Sequence, residues 1–284
     1  MDTDLTHKLI LEDIQVPTLP DVVLRLQGLL DDPAVDIERI AEAIAQDPPI
    51  AARVLSIANS TLYGQREPVA GIRTAVLVLG TNLIREVVLQ AAIIEAYRHL
   101  SDETGFDIEE LWRHSIQTAR IARTVALRVR AELELHPETC YACGLLHDLG
   151  KIVLLDSRGE GYLRFLGAEA SGERPAHELE SEQFGYNHAQ VGGAVATVWE
   201  LPEDIVAAIE FHHGPESVIE SSPPVCATSF ANELANRIRT EPEVEAESLL
   251  AGPARNVLGL SRKAAAEILE SALESWRAIQ AWRA

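Results

Sequence analysis

The spacing of the apolar residues constrains the fold of this chain more than any other feature. Apolar side chains recur every three or four positions, as in the sets Val22, Leu26, Leu29, Leu30 and Ile37, Ile40, Ala41, Ile44. This interval places them on one face of an α-helix, and the strict alternation of a half-buried strand is hard to find. The segment from Thr74 to Leu79 is apolar enough for a strand, but the helical pattern continues through Val88. We therefore predict an all-α protein with a buried helix at that segment.

Proline, glycine and serine residues divide the chain into helices. Pro137 and Pro202 stand where a first helical turn begins, and Ser261 is placed to cap the final helix. Gly150 follows an apolar helical run and is interpreted as the end of that helix. We predict an N-terminal helical lobe over 16–100, a histidine-bearing helical lobe over 105–239, and an acidic linker with a C-terminal helix over 240–284. The last helix could pack on the body or form a homodimer contact.

The charge and the apolar runs exclude several classes of function. The chain of 284 residues has 24 Lys and Arg against 44 Asp and Glu, a formal net charge of -20. Such a chain does not attract a phosphate backbone, so nucleic acid is disfavoured as a partner and a phosphorylated ligand needs a bound metal ion. No apolar run approaches the roughly 20 residues that span a bilayer. The N-terminus is unlike a secretory signal and the three cysteines suit a reducing compartment, so we expect a cytoplasmic protein without membrane contact.

Five of the nine histidines stand in apolar helical surroundings. They are His114, His147, His188, His212 and His213, and Asp148 follows His147 directly. Imidazole and carboxylate groups together suit borderline divalent metals such as iron, manganese, zinc or nickel. A polar core network, in which each histidine bonds a backbone carbonyl or a neighbouring acid, is an equally good interpretation of the spacing. The other four histidines, His7, His99, His136 and His177, are predicted to be solvated.

The order of these residues resembles a known family. The resemblance runs from about Val16 to Ala235 and rests on Ala45-Gln46-Asp47-Pro48, Val54 to Ser60, Ile72 to Gly80, Trp112-Arg113-His114-Ser115, Gly144 to Lys151, His188 to Gly192, Trp199-Glu200-Leu201-Pro202 and His212-His213. These segments resemble the HDOD (HD-related output domain) family of the histidine-aspartate superfamily. The resemblance implies an HD-type helical bundle and a role in bacterial signal transduction, often as the output part of a regulatory protein.

The resemblance also implies a set of site residues. In relatives that hydrolyse phosphodiesters, one metal is held at positions similar to His114, His147, Asp148 and Asn232. A second metal is held at positions similar to His188, His212 and His213. Lys151 lies one helical turn after His147, where it could contact an oxygen atom of a ligand.

Two departures from the enzyme pattern bear on catalysis. Asn232 stands where these enzymes have an aspartate, and an amide oxygen lacks the charge of a carboxylate. The residues after His213, Gly214-Pro215-Glu216, differ from the sequence that marks the cyclic-di-GMP phosphodiesterases of the HD-GYP type.

Three functions are therefore compared. The leading hypothesis is a signalling module without catalysis that binds an unknown signalling protein or a small ligand. The alternative is a metal-dependent phosphohydrolase acting on a nucleotide or cyclic dinucleotide. In the third, a metal ion is a structural or sensory element without turnover.

Overall fold

The computed structural model of the chain describes residues 3–30, 32, 34–60, 67–129, 133–241, 243–252 and 256–280. These residues form helices and no β-strand, which confirms the predicted all-α fold. The α-helices are α1 Thr3–Asp13, α2 Asp21–Leu30, α3 Ile37–Ala45, α4 Pro48–Ala58, α5 Ile72–Leu79, α6 Thr81–Ala96, α7 His99–Thr104, α8 Ile108–Arg128, α9 Pro137–Leu146, α10 Leu149–Arg158, α11 Glu160–Ala170, α12 Ala176–Phe184, α13 His188–Val198, α14 Glu203–Phe211, α15 Glu216–Ser221, α16 Pro223–Thr240 and α17 Arg262–Gln280. A 3-10 helix at Ala246–Leu250 precedes α17.

Short polar side chains fix where several helices begin. The carboxylate of Asp107 accepts a hydrogen bond of 2.9 Å from the backbone N–H of Glu110 and thereby caps α8. Asn187 and Gln190 form a capping box at the start of α13, immediately before His188. The predicted cap of the last helix is confirmed, because the backbone N–H of Ala264 donates to Ser261 Oγ over 3.1 Å. Helices α5 and α6 also confirm the helical interpretation of Thr74 to Leu79.

The chain interrupts its helix at His147 and Asp148, between α9 and α10. The interpretation of Gly150 as the end of a helix is wrong, since Gly150 lies in the first turn of α10. There it contacts the start of α13 so closely that an added Cβ would lie 1.9 Å from the backbone oxygen of His188. A glycine is required at position 150 because two helices cross there without room for a side chain.

The apolar core consists of two clusters. The larger cluster takes buried residues from α1 to α14 and Ile279 from α17, so it includes both predicted lobes. The smaller cluster lies between α8, α9, α16 and α17 and contains Val125, Cys226, Leu234 and Ile268. The division of the chain into lobes stays a prediction.

The C-terminal helix packs on the body of the protein. Gln117 Nε2, on α8, donates a hydrogen bond of 2.8 Å to the backbone oxygen of Ala272 on α17. One turn further along α8, Arg120 Nη1 donates to Ser275 Oγ over 2.9 Å, and Ser275 Oγ donates to Gln117 Oε1 over 2.8 Å. All of these polar side chains are buried. Of the two placements considered for this helix, the structure shows packing on the body.

Helix α1 is held near its middle and at its C-terminal end. His7 Nε2 lies 3.3 Å from Glu210 Oε2 on α14, so the prediction that His7 is solvated is wrong. At the C-terminal end, Asp13 contacts Arg158 and the hydroxyl of Tyr186. None of the described helices is both long and apolar enough to cross a lipid bilayer.

Glu86, on α6, is a buried acid whose ionisation opposes folding. Burial raises the pKa of Glu86 to about 7, and the opposing effect of Arg85 is smaller. The unfolded chain releases this proton near the ordinary value of 4.5, whereas the folded chain holds it to about pH 7. The free energy of unfolding should therefore fall as pH rises through this window. One pKa unit corresponds to about 1.4 kcal/mol, so the loss is about 3 kcal/mol.

Denaturant unfolding of Glu86→Gln against the native chain from pH 4.5 to 8 checks this expectation. The variant should lose this part of the pH dependence and be the more stable protein at pH 8. The exposed Glu160→Gln is the matched control and should follow the native curve. The expectation would be contradicted if the free energies of unfolding of the native chain and of Glu86→Gln changed with pH in the same way.

Candidate metal centre

Residues from five parts of the chain meet in one buried cluster. His114 comes from α8, His147 and Asp148 from the break between α9 and α10, and His188 from the first position of α13. His212 and His213 follow α14, and Asn232 lies on α16. His147 and His188 are 0% exposed and Asp148 is 2% exposed. The structure thus brings together all the residues that the sequence singled out.

The ligand atoms form two groups, and atoms within each group lie within 4.8 Å of one another. The first group is His114, His147 and Asp148, and the second is His188, His212 and His213. We call them the first group and the second group.

The carboxylate of Asp148 faces both groups. Its Oδ2 lies 3.3 Å from His147 Nε2 and 3.6 Å from His114 Nε2. Its Oδ1 lies 3.3 Å from His188 Nε2 and 3.7 Å from His212 Nε2. One carboxylate therefore presents one oxygen atom to each group of imidazoles.

In three histidines the ring nitrogen Nδ1, which is not the nitrogen that faces the cluster, contacts an oxygen acceptor. His147 Nδ1 lies 2.8 Å from the backbone oxygen of Gly144, and His212 Nδ1 lies 2.7 Å from that of Ile209. His188 Nδ1 lies 2.8 Å from Glu180 Oε2. Because these oxygen atoms only accept, each Nδ1 carries the hydrogen. A neutral imidazole in this tautomer has a free lone pair on Nε2, the atom that faces the cluster.

Glu180, on α12, orients His188 and was missed by the sequence analysis. Its Oε2 also accepts from the backbone N–H of His188 over 2.7 Å, and its Oε1 accepts from the hydroxyl of Tyr162 over 2.5 Å. Burial opposes its ionisation, but the charge and hydrogen bonds of His188 prevail and lower the pKa of Glu180 to about 2. Burial likewise lowers the pKa of His188, but Glu180 outweighs it and raises that pKa to about 9. His188 is therefore protonated at neutral pH in the metal-free chain, and a metal ion that binds its Nε2 has to displace that proton.

Five atoms of the cluster are buried and have no hydrogen-bond partner. They are Nε2 of His188, His212 and His213 and both carboxylate oxygens of Asp148, of which Oδ2 is ion-paired with Lys151. Buried polar atoms are almost always bonded, so an unbonded set that converges points to a missing ligand. Burial lowers the pKa of His114 and of His212 to about 3, which keeps both in the neutral form that binds metals. Imidazole nitrogen and carboxylate oxygen fit a divalent first-row metal ion.

Lys151 and Asn232 complete the first group. Lys151 Nζ lies 3.1 Å from Asp148 Oδ2 and 3.0 Å from Glu169 Oε2 on α11. Burial alone lowers the pKa of Lys151, but these two carboxylates outweigh it and raise that pKa. Asn232 Oδ1 lies 3.1 Å from His114 Nε2 and accepts a hydrogen bond of 3.1 Å from Asn236.

A cavity of about 350 Å³ opens beside the first group. Its charged and polar lining includes His114, Asp148, Lys151, Glu169 and Arg239, and its apolar lining includes Phe106, Leu111, Leu163 and Leu166. The predicted ligand contact, Lys151, thus faces a space that can hold a small molecule.

Of the four histidines that were predicted to be solvated, two are exposed and two contact other side chains. His99 and His136 are exposed, as expected. His7 pairs with Glu210 as described above, and His177 stacks on His213 with the ring centroids 4.0 Å apart. The prediction for His177 is therefore wrong, because α12 packs beside the end of α14.

Known proteins share this architecture. Residues 16–215 match the HDOD domain family. A solved HDOD domain protein of unknown function from Geobacter sulfurreducens is 32% identical, with a TM-score of 0.76 over 98% of each chain. A protein of Shewanella amazonensis, provisionally described as a phosphohydrolase, has a TM-score of 0.73 over 95% of this chain and 98% of its own. It is 22% identical, so it shows the fold alone.

A curated relative extends the comparison to longer proteins. An uncharacterised protein of Treponema pallidum is 28% identical over 218 residues, which are 76% of this chain and 41% of that protein. This chain thus spans less than half the length of that relative. The matched family segment includes six of the seven residues of the candidate metal centre, all but Asn232. The chain belongs to the HDOD family.

Proposed function

We propose that this chain is a regulatory module of bacterial signal transduction that holds a divalent metal ion and binds a small anionic ligand without consuming it. The proposal rests on four buried atoms that have no hydrogen-bond partner and lie together at the second group, namely Nε2 of His188, His212 and His213 and Oδ1 of Asp148. Such an arrangement costs free energy in a protein without metal, and a bound cation would offset that cost. The signalling partner, a cytoplasmic location and self-association as a homodimer stay predictions.

The cavity beside the first group supports an anionic ligand. The chain as a whole carries a formal net charge of -20, so an anion has to find local positive charge. Lys151 and Arg239 line the cavity, but so do the carboxylates of Asp107, Glu110, Asp148 and Glu169. A bound divalent metal ion would therefore have to supply the remaining positive charge, while Leu163 and Leu166 offer apolar contact to the rest of the ligand. A small molecule with one charged and one apolar part fits these walls.

Among the described residues, the first group has the amide of Asn232 in place of a second carboxylate, which favours binding over turnover. Asn232 approaches His114 with an amide oxygen, which is a weaker ligand for a divalent ion than a carboxylate. Glu169 also neutralises Lys151, the group that would otherwise meet a phosphate oxygen directly. A ligand therefore has to compete with Glu169 for the ammonium group.

Metal analysis of the purified full-length chain tests the proposal. After anaerobic reconstitution with Fe²⁺, Mn²⁺, Zn²⁺ or Ni²⁺, the chain should retain at least one ion and its melting temperature should rise. His147→Ala and His188→Ala should lose this rise, whereas the exposed His136→Ala should keep it. A native chain that retains none of these ions after reconstitution would exclude the proposal.

A metal-dependent phosphohydrolase is the second candidate. The position of Asp148, between two groups of imidazoles and beside an open cavity, favours it. A metal ion bound there would supply activated water and neutralise phosphate charge. Release of phosphate or of a linear product from a nucleotide or a cyclic dinucleotide, lost in His147→Ala, would establish this candidate. Metal binding with a rise in melting temperature, but without such turnover, would support the regulatory module over the phosphohydrolase.

Asn232→Asp should raise the metal affinity of the first group. The new carboxylate would replace an oxygen atom that already lies 3.1 Å from His114 Nε2, and it adds a negative charge. We expect affinity to rise by at least about tenfold, because divalent ions favour charged oxygen ligands. Calorimetric titration with Mn²⁺ measures the change. Asn236→Asp, one turn along α16, is the matched control, and an equal gain there would show that added charge alone suffices.

A further inference from the structure

The second group has a fourth imidazole beside it. His177, on α12, lies parallel to the ring of His213, with an interplanar angle of 12° and centroids 4.0 Å apart. The ring of His213 is also 4.2 Å from that of His212 and 5.1 Å from that of His188. Four histidines from α12, α13 and the end of α14 are therefore neighbours.

The unbonded atoms of this cluster include one on His177. Its Nδ1 is buried without a hydrogen-bond partner, as is Nε2 of His213. Leaving a buried polar atom unbonded typically costs about 1–3 kcal/mol. The stacking of two rings accounts for their contact, but it leaves both nitrogen atoms unbonded.

We infer that His177 is the fourth nitrogen ligand of a metal ion held by His188, His212 and His213. This inference rests on the proposed metal function and adds a residue that no motif of the sequence indicated. His177 is not among the three histidines whose ligand atoms lie within 4.8 Å of one another, so binding recruits it by a turn of its half-buried side chain. Its position at the half-buried side of the group allows that movement without displacing the core.

Four imidazoles would set the metal preference of the second group. Imidazole nitrogen suits Zn²⁺, Ni²⁺ or Cu²⁺, whereas Mn²⁺ and Mg²⁺ prefer oxygen ligands. The second group would offer four imidazoles and one oxygen atom of Asp148. The first group offers two imidazoles, the other oxygen atom of Asp148 and the amide oxygen of Asn232, so it is the better place for Mn²⁺. The two groups should therefore differ in the ions that they select.

Calorimetric titration of the metal-free, full-length chain with Zn²⁺ tests the inference. His177→Ala should weaken binding at one site by about 10- to 100-fold, the range for residues that support a bound metal. His177→Phe, which keeps an aromatic ring stacked on His213 but has no nitrogen, should weaken it equally. His136→Ala, a histidine exposed elsewhere on the surface, should bind as the native chain does. X-ray absorption of the protein loaded with one equivalent of Zn²⁺ should report one imidazole neighbour fewer in His177→Phe than in the native chain.

Each other outcome overturns a specific claim. Native affinity in His177→Phe, with reduced affinity in His188→Ala, would show that His177 only packs on His213, and the inference would fail while the proposed function stands. A native chain that binds no Zn²⁺ or other divalent ion would contradict both the inference about His177 and the proposed function.

Discussion

Asp148→Asn should lower the free energy of unfolding of the metal-free chain by about 3–5 kcal/mol, the usual cost of removing one partner of a buried ion pair. Asp148 is buried, and its Oδ2 lies 3.1 Å from Lys151 Nζ. Burial raises the pKa of Asp148, but His147 and Lys151 outweigh it and hold that pKa well below its usual range. The amide keeps the shape of the side chain and removes the charge that offsets the buried ammonium.

Denaturant unfolding at pH 7 in the presence of a chelator measures this cost. Adding Lys151→Met to Asp148→Asn should recover part of the lost stability, since the double variant no longer buries an unbalanced ammonium. Asp156→Asn, an exposed position on the same helix, should stay within about 0.5 kcal/mol of the native chain. A cost below about 1 kcal/mol for Asp148→Asn would mean that Glu169 alone satisfies Lys151.

Gly150→Ala should lower the free energy of unfolding nearly as much as Asp148→Asn does. The added Cβ would lie 1.9 Å from the backbone oxygen of His188 and 2.7 Å from the backbone nitrogen of Gly192. Both contacts are with backbone atoms, so relief requires α10 and α13 to separate. We expect a loss of about 3 kcal/mol, at the upper end of the range for overpacking.

The same substitution should also weaken metal binding, because the displaced backbone carries His188. Thermal unfolding and zinc titration of Gly150→Ala measure the two effects. Gly28→Ala, at an exposed position of α2 where an added Cβ meets nothing within 4 Å, is the matched control. It should gain about 0.5–1 kcal/mol from its better helix propensity. Native stability in Gly150→Ala would contradict the close crossing of the two helices.

The helical fold and the convergence of the histidines could be predicted because both depend on local patterns. The three- and four-residue apolar period indicates helices wherever it occurs, and α5 shows that it can overrule a strand-like composition. His147 and Asp148 could be identified because a charged pair within an apolar run requires partners. Those partners arrive from α8, α13 and the end of α14, as expected.

The residues that support the site could not be predicted by the same means. Glu180 is one of several acids in the polar helix α12, and nothing in its neighbourhood separates it from a solvated acid. His177 lies on that helix as well, and only its packing against the end of α14 reveals the contact with His213. Gly150 was misinterpreted because a close crossing of helices and a helix end both select glycine, and only the three-dimensional structure distinguishes them.

The docking of α17 on α8 means that the folding unit extends beyond the segment that matches the HDOD family model. The family match ends at residue 215, before α16 with Asn232 and before α17. A protein shortened to that boundary would lose Ala272 and Ser275, which bond Gln117 and Arg120, and would expose the apolar face of α8 to water. His114 lies one turn before Gln117 on the same helix. Removal of α17 should therefore disturb the position of His114 in the candidate metal centre.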